Sequence, residues 1–494
     1  MQGVLQFHNS ENGGSFRLHQ KKITKRTKSG CLSCRARRTK CDEYKPVCGG
    51  CARNHLLCSW KGSAEVSQSP ESAELRMRAR TRTVLSSTLL AVPSPRHALS
   101  LWPQLDGKPC EQRLFQHYVE RSSRRLIVRE AIDNPFLNYV LPLAQQQDGI
   151  LHILFAISAS HMSYDDRIPH ITAISHYAIA LRGIKYLITD HGRGIRESPL
   201  EIIIMLLLLC NFEVIDGNTA GAVMQHLQPL SALLASHMSL LDQVDPNCAC
   251  FITEQFMFFG LVNRYLGLGP MSTGTDEPTA SLFSDNALLP YRSYYHGRSS
   301  WCAYDLFELV PRVSLFATKV AQCSPRHLDP NILDNFHAIE DAILRWNIPA
   351  PHNSTKSPDI DEISAAVIQQ MALLVTLQCA LNGPGIPPPS IRSRIDTCIS
   401  EARNTLRSLS PASTAWAILL WPLLHLGSCL VHEAEQNEYI STVLRIENKA
   451  RCCTSLLDFL SRLWRRMRDG GDKFYGPYGI RELMNIERIQ LSLG

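Results

Sequence analysis

The chain has 494 residues, 45% of them hydrophobic and 19% charged, with a formal net charge of +6. That length holds a large domain beside a small module. The longest apolar run, Ile202 to Cys210, is far short of the roughly twenty residues a bilayer helix needs, so no segment reads as membrane-spanning. The opening MQGVLQFHNSENGG has neither a basic n-region nor an apolar h-region, so an intracellular protein is expected. Charge is uneven: residues 1–62 hold thirteen Lys/Arg against three Asp/Glu, a net +10, and the remainder nets −4. A cationic head of this kind suits nucleic acid.

Residues 1–24 form a polar tail that turns basic at its end and is expected to be disordered. Lys21 to Lys28 reads KKITKRTK, and its Lys25, Arg26 and Lys28 suit phosphate contact or nuclear import.

Cys31 to Cys58 then carries six cysteines spaced C-x2-C-x6-C-x6-C-x2-C-x6-C. Cys31, Cys34 and Cys41 recur as Cys48, Cys51 and Cys58, each seventeen positions on. A structural zinc takes four thiolate or imidazole ligands in a tetrahedron. Two zinc ions with private ligands would need eight, so six suffice if one cysteine from each half bridges both metals. A core this small cannot fold on apolar burial alone. Metal binding then supplies most of the folding free energy, roughly 10 kcal/mol or more per structural zinc. Disulfides do not suit a reducing compartment, and the usual iron–sulfur spacings differ.

Between Cys34 and Cys41 stand Arg35, Ala36, Arg37, Arg38, Thr39 and Lys40, four cations in six residues. A C-x2-C knuckle opens a short helix, which would present Arg37 and Arg38 outward. Arginine bonds bidentately to guanine O6 and N7 in the major groove. The matching stretch of the second half, Ala52 to Leu57, has Arg53 as its one cation, so the first helix is expected to read DNA and the second to support it.

The stretch from about Gly30 to Trp60 resembles the fungal binuclear zinc cluster, or Zn2Cys6, domain of transcription factors. The resemblance is carried by the six cysteines, the basic run after Cys34, the Cys41-Asp42-Glu43 step and Pro46 before the fourth cysteine. It implies two Zn2+ ions bridged by Cys31 and Cys48, one completed by Cys34 and Cys41, the other by Cys51 and Cys58. It implies that Arg37 and Arg38 contact a CGG-type triplet of double-stranded DNA. Arg35, Lys40, Lys45 and the arm with Lys25, Arg26 and Lys28 would hold the head on phosphates. The DNA-binding domain is placed at residues 25–61.

Residues 62–110 read as a flexible linker, with serine and proline recurring in SQSPES and VPSPRH. Arg76, Arg78, Arg80 and Arg82 alternate there as a solvated charge run. No a/d heptad is sustained, so a homodimer formed through this segment is not expected, and one formed elsewhere stays open.

Residues 111–494 show repeated amphipathic segments and almost no strand pattern. Helices are expected from Leu114, over Ile150–Met162, His176–Ile188 and the buried run 202–210. Further ones fall near 219–237, 250–266, 302–321, 330–346, 360–381, 389–408 and 413–435, and a last one carries Ala450, Cys453, Leu457, Leu460 and Trp464 on one face. NPFLNYVLPLA with ILHILFAISASHM, and later WPLLHLGSCL and LWRRMRDG, resemble the fungal-specific transcription factor domain found behind Zn2Cys6 heads. That resemblance implies an all-α regulatory domain, contacting the transcription machinery or coregulators.

Catalytic constellations are missing. His432-Glu433 opens like H-E-x-x-H, but Gln436 stands where the second histidine belongs. Gly267 and Gly269 lack the third glycine of a dinucleotide loop. His152, His161 and His226 sit on apolar helical segments and read as core or boundary residues. The expected protein is therefore a nuclear DNA-binding regulator of RNA polymerase II transcription and not an enzyme. The alternative is a helical scaffold or corepressor-like adaptor whose zinc head is structural. An arginine run locked between metal ligands favours the first.

Overall fold

The apolar run at 202–210 decides the layout of the larger part of the molecule. A helix apolar on every face has no side to give to water and must be surrounded. In the computed structural model this run lies in the helix Leu200–Asp216, buried from Leu200 to Val214 except for partly exposed Glu201. The structure describes residues 30–31, 34, 39–45, 48–49, 51, 102, 105–128, 134–165, 167–192, 199–268, 304–322, 330–347, 359–447 and 449–493. The chain divides into two compact units, residues 1–77 and 78–494.

The second unit is all-α. Its helices are α1 (Pro109–His117), α2 (Leu141–Ala144), α3 (Asp148–Ser163), α4 (His170–Gly192), α5 (Leu200–Asp216), α6 (Ala222–Ser236) and α7 (Pro246–Arg264). There follow α8 (Tyr304–Phe307), α9 (Leu309–Gln322), α10 (Pro330–Leu344), α11 (Ile360–Asn382) and α12 (Pro389–Ser408). The last four are α13 (Leu420–Ser428), α14 (Glu433–Leu444), α15 (Arg451–Arg468) and α16 (Gly476–Glu487). Among the described residues no strands pair into a sheet; one isolated parallel bridge joins Ala220 to Gln490.

Two helices organise the packing. α5 touches α3, α6, α7 and α15, and α11 touches α9, α10, α12, α13 and α16. α3 runs closely along α4, because Gly183 and Gly149 face each other; a Cβ on Gly183 would lie 3.3 Å from Gly149 Cα. α11 is long and apolar enough to cross a bilayer by composition, but 83% of its most apolar window is buried inside the unit, so it is a core helix. Its start is capped by Asp359, whose carboxylate accepts from Glu362 N–H (2.8 Å).

Several expected boundaries shift. The unit's packing reaches back to Trp102, in the segment expected as linker; Trp102 is buried against Phe115 with ring centroids 4.7 Å apart. α4 extends beyond the expected His176–Ile188 at both ends. The expected helix 413–435 is three elements: a 3-10 turn (Thr414–Ile418), α13, and α14 after a break at 429–432. The break is held by the side chain of Gln436, whose Nε2 donates to Leu430 C=O (2.9 Å). α16 was not expected at all. After α16 the chain returns across the unit. Gln490 N–H donates to Thr219 C=O (2.8 Å) and Ser492 N–H to Asn218 C=O (3.0 Å). The buried side chain of Asn263 then clasps Leu493, accepting from its N–H (3.0 Å) and donating to its C=O (2.6 Å).

Candidate metal centre and nucleic-acid interface

In the first unit the core is made of cysteines. Cys31, Cys34, Cys41, Cys48 and Cys51 are all buried, and no larger side chain joins their cluster among the described residues. Sulfur separations are 3.7 Å for Cys31–Cys48, 3.6 Å for Cys31–Cys51, 3.6 Å for Cys34–Cys48 and 4.0 Å for Cys34–Cys51. Tetrahedral zinc with Zn–S bonds of about 2.3 Å sets neighbouring sulfurs about 3.8 Å apart. The residues therefore fit the metal. Cys31, Cys34, Cys41 and Cys48, whose sulfurs all lie within 4.8 Å of one another, are the set that the bridged scheme gives to one zinc.

The two halves repeat in bonding as well as in spacing. Cys34 N–H donates to Cys31 Sγ (3.4 Å), and Cys51 N–H donates to Cys48 Sγ (3.3 Å). Each C-x2-C step thus turns its own backbone amide onto its first sulfur, which stabilises negative charge there. Glu43 N–H does the same for Cys41 (3.4 Å). Crowding acts against ionisation elsewhere. Cys34 is pushed up to about 12, by burial first and then by the neighbouring thiols Cys48 and Cys31. Burial also opposes the Cys48 thiolate, but the amide and thiol of Cys51 bring it below the usual thiol range. Thiolates this close need cations between them, and divalent zinc supplies that charge.

Asp42 joins the halves. Both its carboxylate oxygens accept from Gly49 N–H (3.0 and 2.8 Å), at the start of the second half. A Cβ on residue 49 would fall 2.5 Å from Asp42 Oδ2, so glycine is what lets the carboxylate approach the amide. Glu43 turns the chain between them with φ +59°, a left-handed conformation uncommon outside glycine.

Of the residues expected to meet DNA, Lys40 and Lys45 are described, and both are exposed beside the cysteine core. Thr39 N–H donates to Cys34 C=O (3.0 Å), so the two ends of the segment carrying the arginines are held together. Arg35, Arg37, Arg38, Lys25, Arg26 and Lys28 lie outside the described residues, as do Cys58 and the Arg76–Arg82 run.

In the helical unit the polar residues noticed in the sequence have structural partners. Gln436, in the broken H-E-x-x-H position, also accepts from Arg468 Nη1 (2.9 Å). Arg462, just before the LWRRMRDG stretch, pairs with Asp458 (2.9 Å) and with Glu487. The histidines read as core or boundary residues are buried or half-buried and have partners: His161 Nδ1 with His117 Nε2 (3.0 Å), and His152 with His176 (2.8 Å). His226 meets Tyr177 Oη (3.0 Å). Each partner is one or more helices away, so spacing along the chain gave no sign of it.

Comparison with known proteins agrees with these two units. Residues 29–65 match the model of the fungal Zn(2)-Cys(6) binuclear cluster domain, a module that binds two zinc ions through six cysteines. Residues 113–489, well over half of the chain, match that of the fungal specific transcription factor domain. The transcriptional activator protein UGA3 of Saccharomyces cerevisiae is 24% identical over 221 residues, 39% of this chain and 42% of that protein. The Zn(2)-C6 fungal-type transcription factor afumD of Aspergillus fumigatus is 30% identical over 168 residues, 32% of this chain and 39% of the relative. White-opaque regulator 2 of Candida albicans is 56% identical over 36 residues, 7% of this chain and 8% of the relative. The chain thus spans about two fifths of the length of the first two relatives. No solved structure matches it.

Proposed function

The chain belongs to the fungal specific transcription factor domain family and carries a Zn(2)-Cys(6) binuclear cluster, and from that premise we propose that it is a nuclear, sequence-specific DNA-binding regulator of RNA polymerase II transcription. Proteins with this pair of domains are transcription regulators rather than enzymes, and they are generally nuclear. In our reading Cys31, Cys34, Cys41, Cys48, Cys51 and Cys58 hold two Zn2+ ions, with Cys31 and Cys48 shared. The metal supplies the charge that keeps six thiolates together; the protein's part is to fix where the arginines stand. Arg37 and Arg38 read a GC-rich, CGG-like triplet from the major groove. Arg35, Lys40, Lys45, Lys25, Arg26 and Lys28 contact phosphates, which sets affinity and register without choosing sequence. The helical domain carries the contacts to coregulators or the transcription machinery, and residues 62–101 connect the two.

The observation that carries this reading is the gathering of Cys31, Cys34, Cys41 and Cys48 within 4.8 Å, flanked by the basic segment whose ends are tied at Cys34 and Thr39. Selection of bound sites from random double-stranded DNA by the full-length protein tests it. Enrichment of one GC-rich triplet supports the reading, and its symmetry reports monomer or dimer. Binding at physiological salt with no preferred sequence would leave a scaffold with a structural zinc head.

A further inference from the structure

Within the helical unit lies a partly open pocket of about 120 Å3, lined by the end of the α1 segment, α3, α5, α7, the 3-10 turn and the start of α15. Its walls are mostly apolar, with Phe258, Phe259, Trp416, Ile418, Leu423 and Ile446 among them. One cation enters this wall. Arg125 stands in the last turn of the α1 segment, which widens to a π-helical stretch at Tyr118–Ser122 before closing at Ser123–Arg125.

The two ends of the Arg125 guanidinium differ. Nη1 lies against His161 Nε2 and reaches Lys449 C=O (3.5 Å). Nη2 is buried and has no hydrogen-bond partner among the described residues. The neighbouring polar groups are already engaged. Asn211 Nδ2 donates to Gln255 Oε1 (3.3 Å), Thr414 Oγ1 donates to Val128 C=O, and Trp416 Nε1 donates to Ser410 C=O (2.9 Å). The free donor is therefore specific to Arg125.

The charge of Arg125 is only partly offset: Cys452, Cys453 and Asp165 favour its charged form and Arg121 opposes it, but none of them reaches Nη2. No carboxylate forms an ion pair with Arg125 among the described residues, and nearby Asp165 is paired with Arg167 (2.9 Å). Burial pushes Arg125 down to about 10, which leaves it charged at neutral pH. His161 is pushed down to about 2, by burial first and then by Arg125, so it stays neutral and its Nε2 accepts from Arg125 Nη1. Cys453, also in the wall, is pushed down to about 7, first by its hydrogen bond with Cys452, and its thiolate offsets part of the charge. A buried guanidinium with an unused donor is costly, and a carboxylate is its natural charge-assisted partner.

We propose that this cavity is a binding site for a small monocarboxylate with an apolar body, its carboxylate on Arg125 Nη2 and its body among Phe258, Phe259 and Trp416. Size restricts the ligand, because an apolar cavity of about 150 Å3 admits a molecule such as benzene.

Titration calorimetry on the full-length, zinc-loaded protein tests the site, with benzoate and isovalerate as probes and benzamide and isovaleramide as neutral counterparts. The acids bind, and the amides bind at least about tenfold more weakly, because they lack the charge that meets Arg125. Arg125→Met removes the preference for acid over amide. Ala417→Phe, which keeps the arginine and fills the cavity from its wall, removes binding of the acids; a wild-type circular dichroism spectrum qualifies either variant. Equal affinity for acids and amides, acid binding unchanged in Ala417→Phe, or no binding of any probe at millimolar concentration overturns the proposal. The readout involves no DNA, so its failure would leave the DNA-reading head untouched.

Discussion

Acidification between pH 7 and pH 5 should destabilise the helical domain sharply, before its carboxylates titrate. His425 is almost fully buried between α11 and the loop after α7. Its Nε2 lies 3.1 Å from Leu266 C=O and carries the hydrogen; its Nδ1 lies 2.8 Å from Thr376 Oγ1. Burial is the main cause that pushes it down to about 3, partly opposed by the Leu266 carbonyl. In the unfolded chain the same ring titrates near 6.5. The folded state therefore keeps the neutral ring while the unfolded state takes up a proton. Stability is full above about pH 6.5 and is lost as pH falls towards the folded value. Linkage gives roughly 2 kcal/mol for this one ring between pH 7 and pH 5. His117 and His161 are pushed down in the same direction, to about 4 and about 2, both by burial first. They touch each other, so a conservative count takes one proton from the pair, and the loss becomes roughly 4 kcal/mol. That is a large part of the roughly 5–15 kcal/mol of an ordinary domain. Urea unfolding followed by circular dichroism at pH 7, 6 and 5 measures it. His425→Gln should flatten the slope by about one proton, whatever it does to stability at pH 7. A free energy that stays level from pH 7 to pH 5, or equal slopes in wild type and His425→Gln, would refute the reasoning.

Zinc analysis of the purified protein should give about two ions per chain, and chelation should unfold the head; one ion per chain would exclude the bridged cluster. Arg38→Ala should cost about 1–3 kcal/mol on the selected site and relax base preference, whereas Lys25→Ala should weaken all sequences alike. Equal losses on selected and scrambled DNA for Arg38→Ala would remove its reading role. Asn263→Ala should destabilise the helical unit by about 2–4 kcal/mol in urea melts, since it leaves the N–H and C=O of buried Leu493 without their partner; a loss under about 0.5 kcal/mol would mean water replaces the clasp.

The metal centre was legible because its constraint is local. Ligand spacing and the doubled C-x2-C step are written along the chain, and the sulfurs of Cys31, Cys34, Cys41 and Cys48 come together accordingly. The helix at 200–216 was legible for a similar reason, since an unbroken apolar run can only be buried. The break inside 413–435 was not, because the apolar period continues through it and the cause is a side chain, Gln436, turned back onto Leu430 C=O. α16 was hidden by its opening Gly476-Pro477, which reads as a loop although proline in the first turn is also a helix start. The cavity around Arg125 had no local sign at all: His161 and Lys449 stand 36 and 324 positions away.

The clasp between Asn263 and Leu493 joins groups 230 positions apart in sequence. On a ribosome adding about 5–20 residues per second, the donors and acceptors of residues 218–220 and Asn263 wait on the order of tens of seconds for the segment that satisfies them. The first half of the helical unit is thus made long before its last partner exists. Until that segment is made, the nascent chain holds α5–α7 with these donors and acceptors unmet.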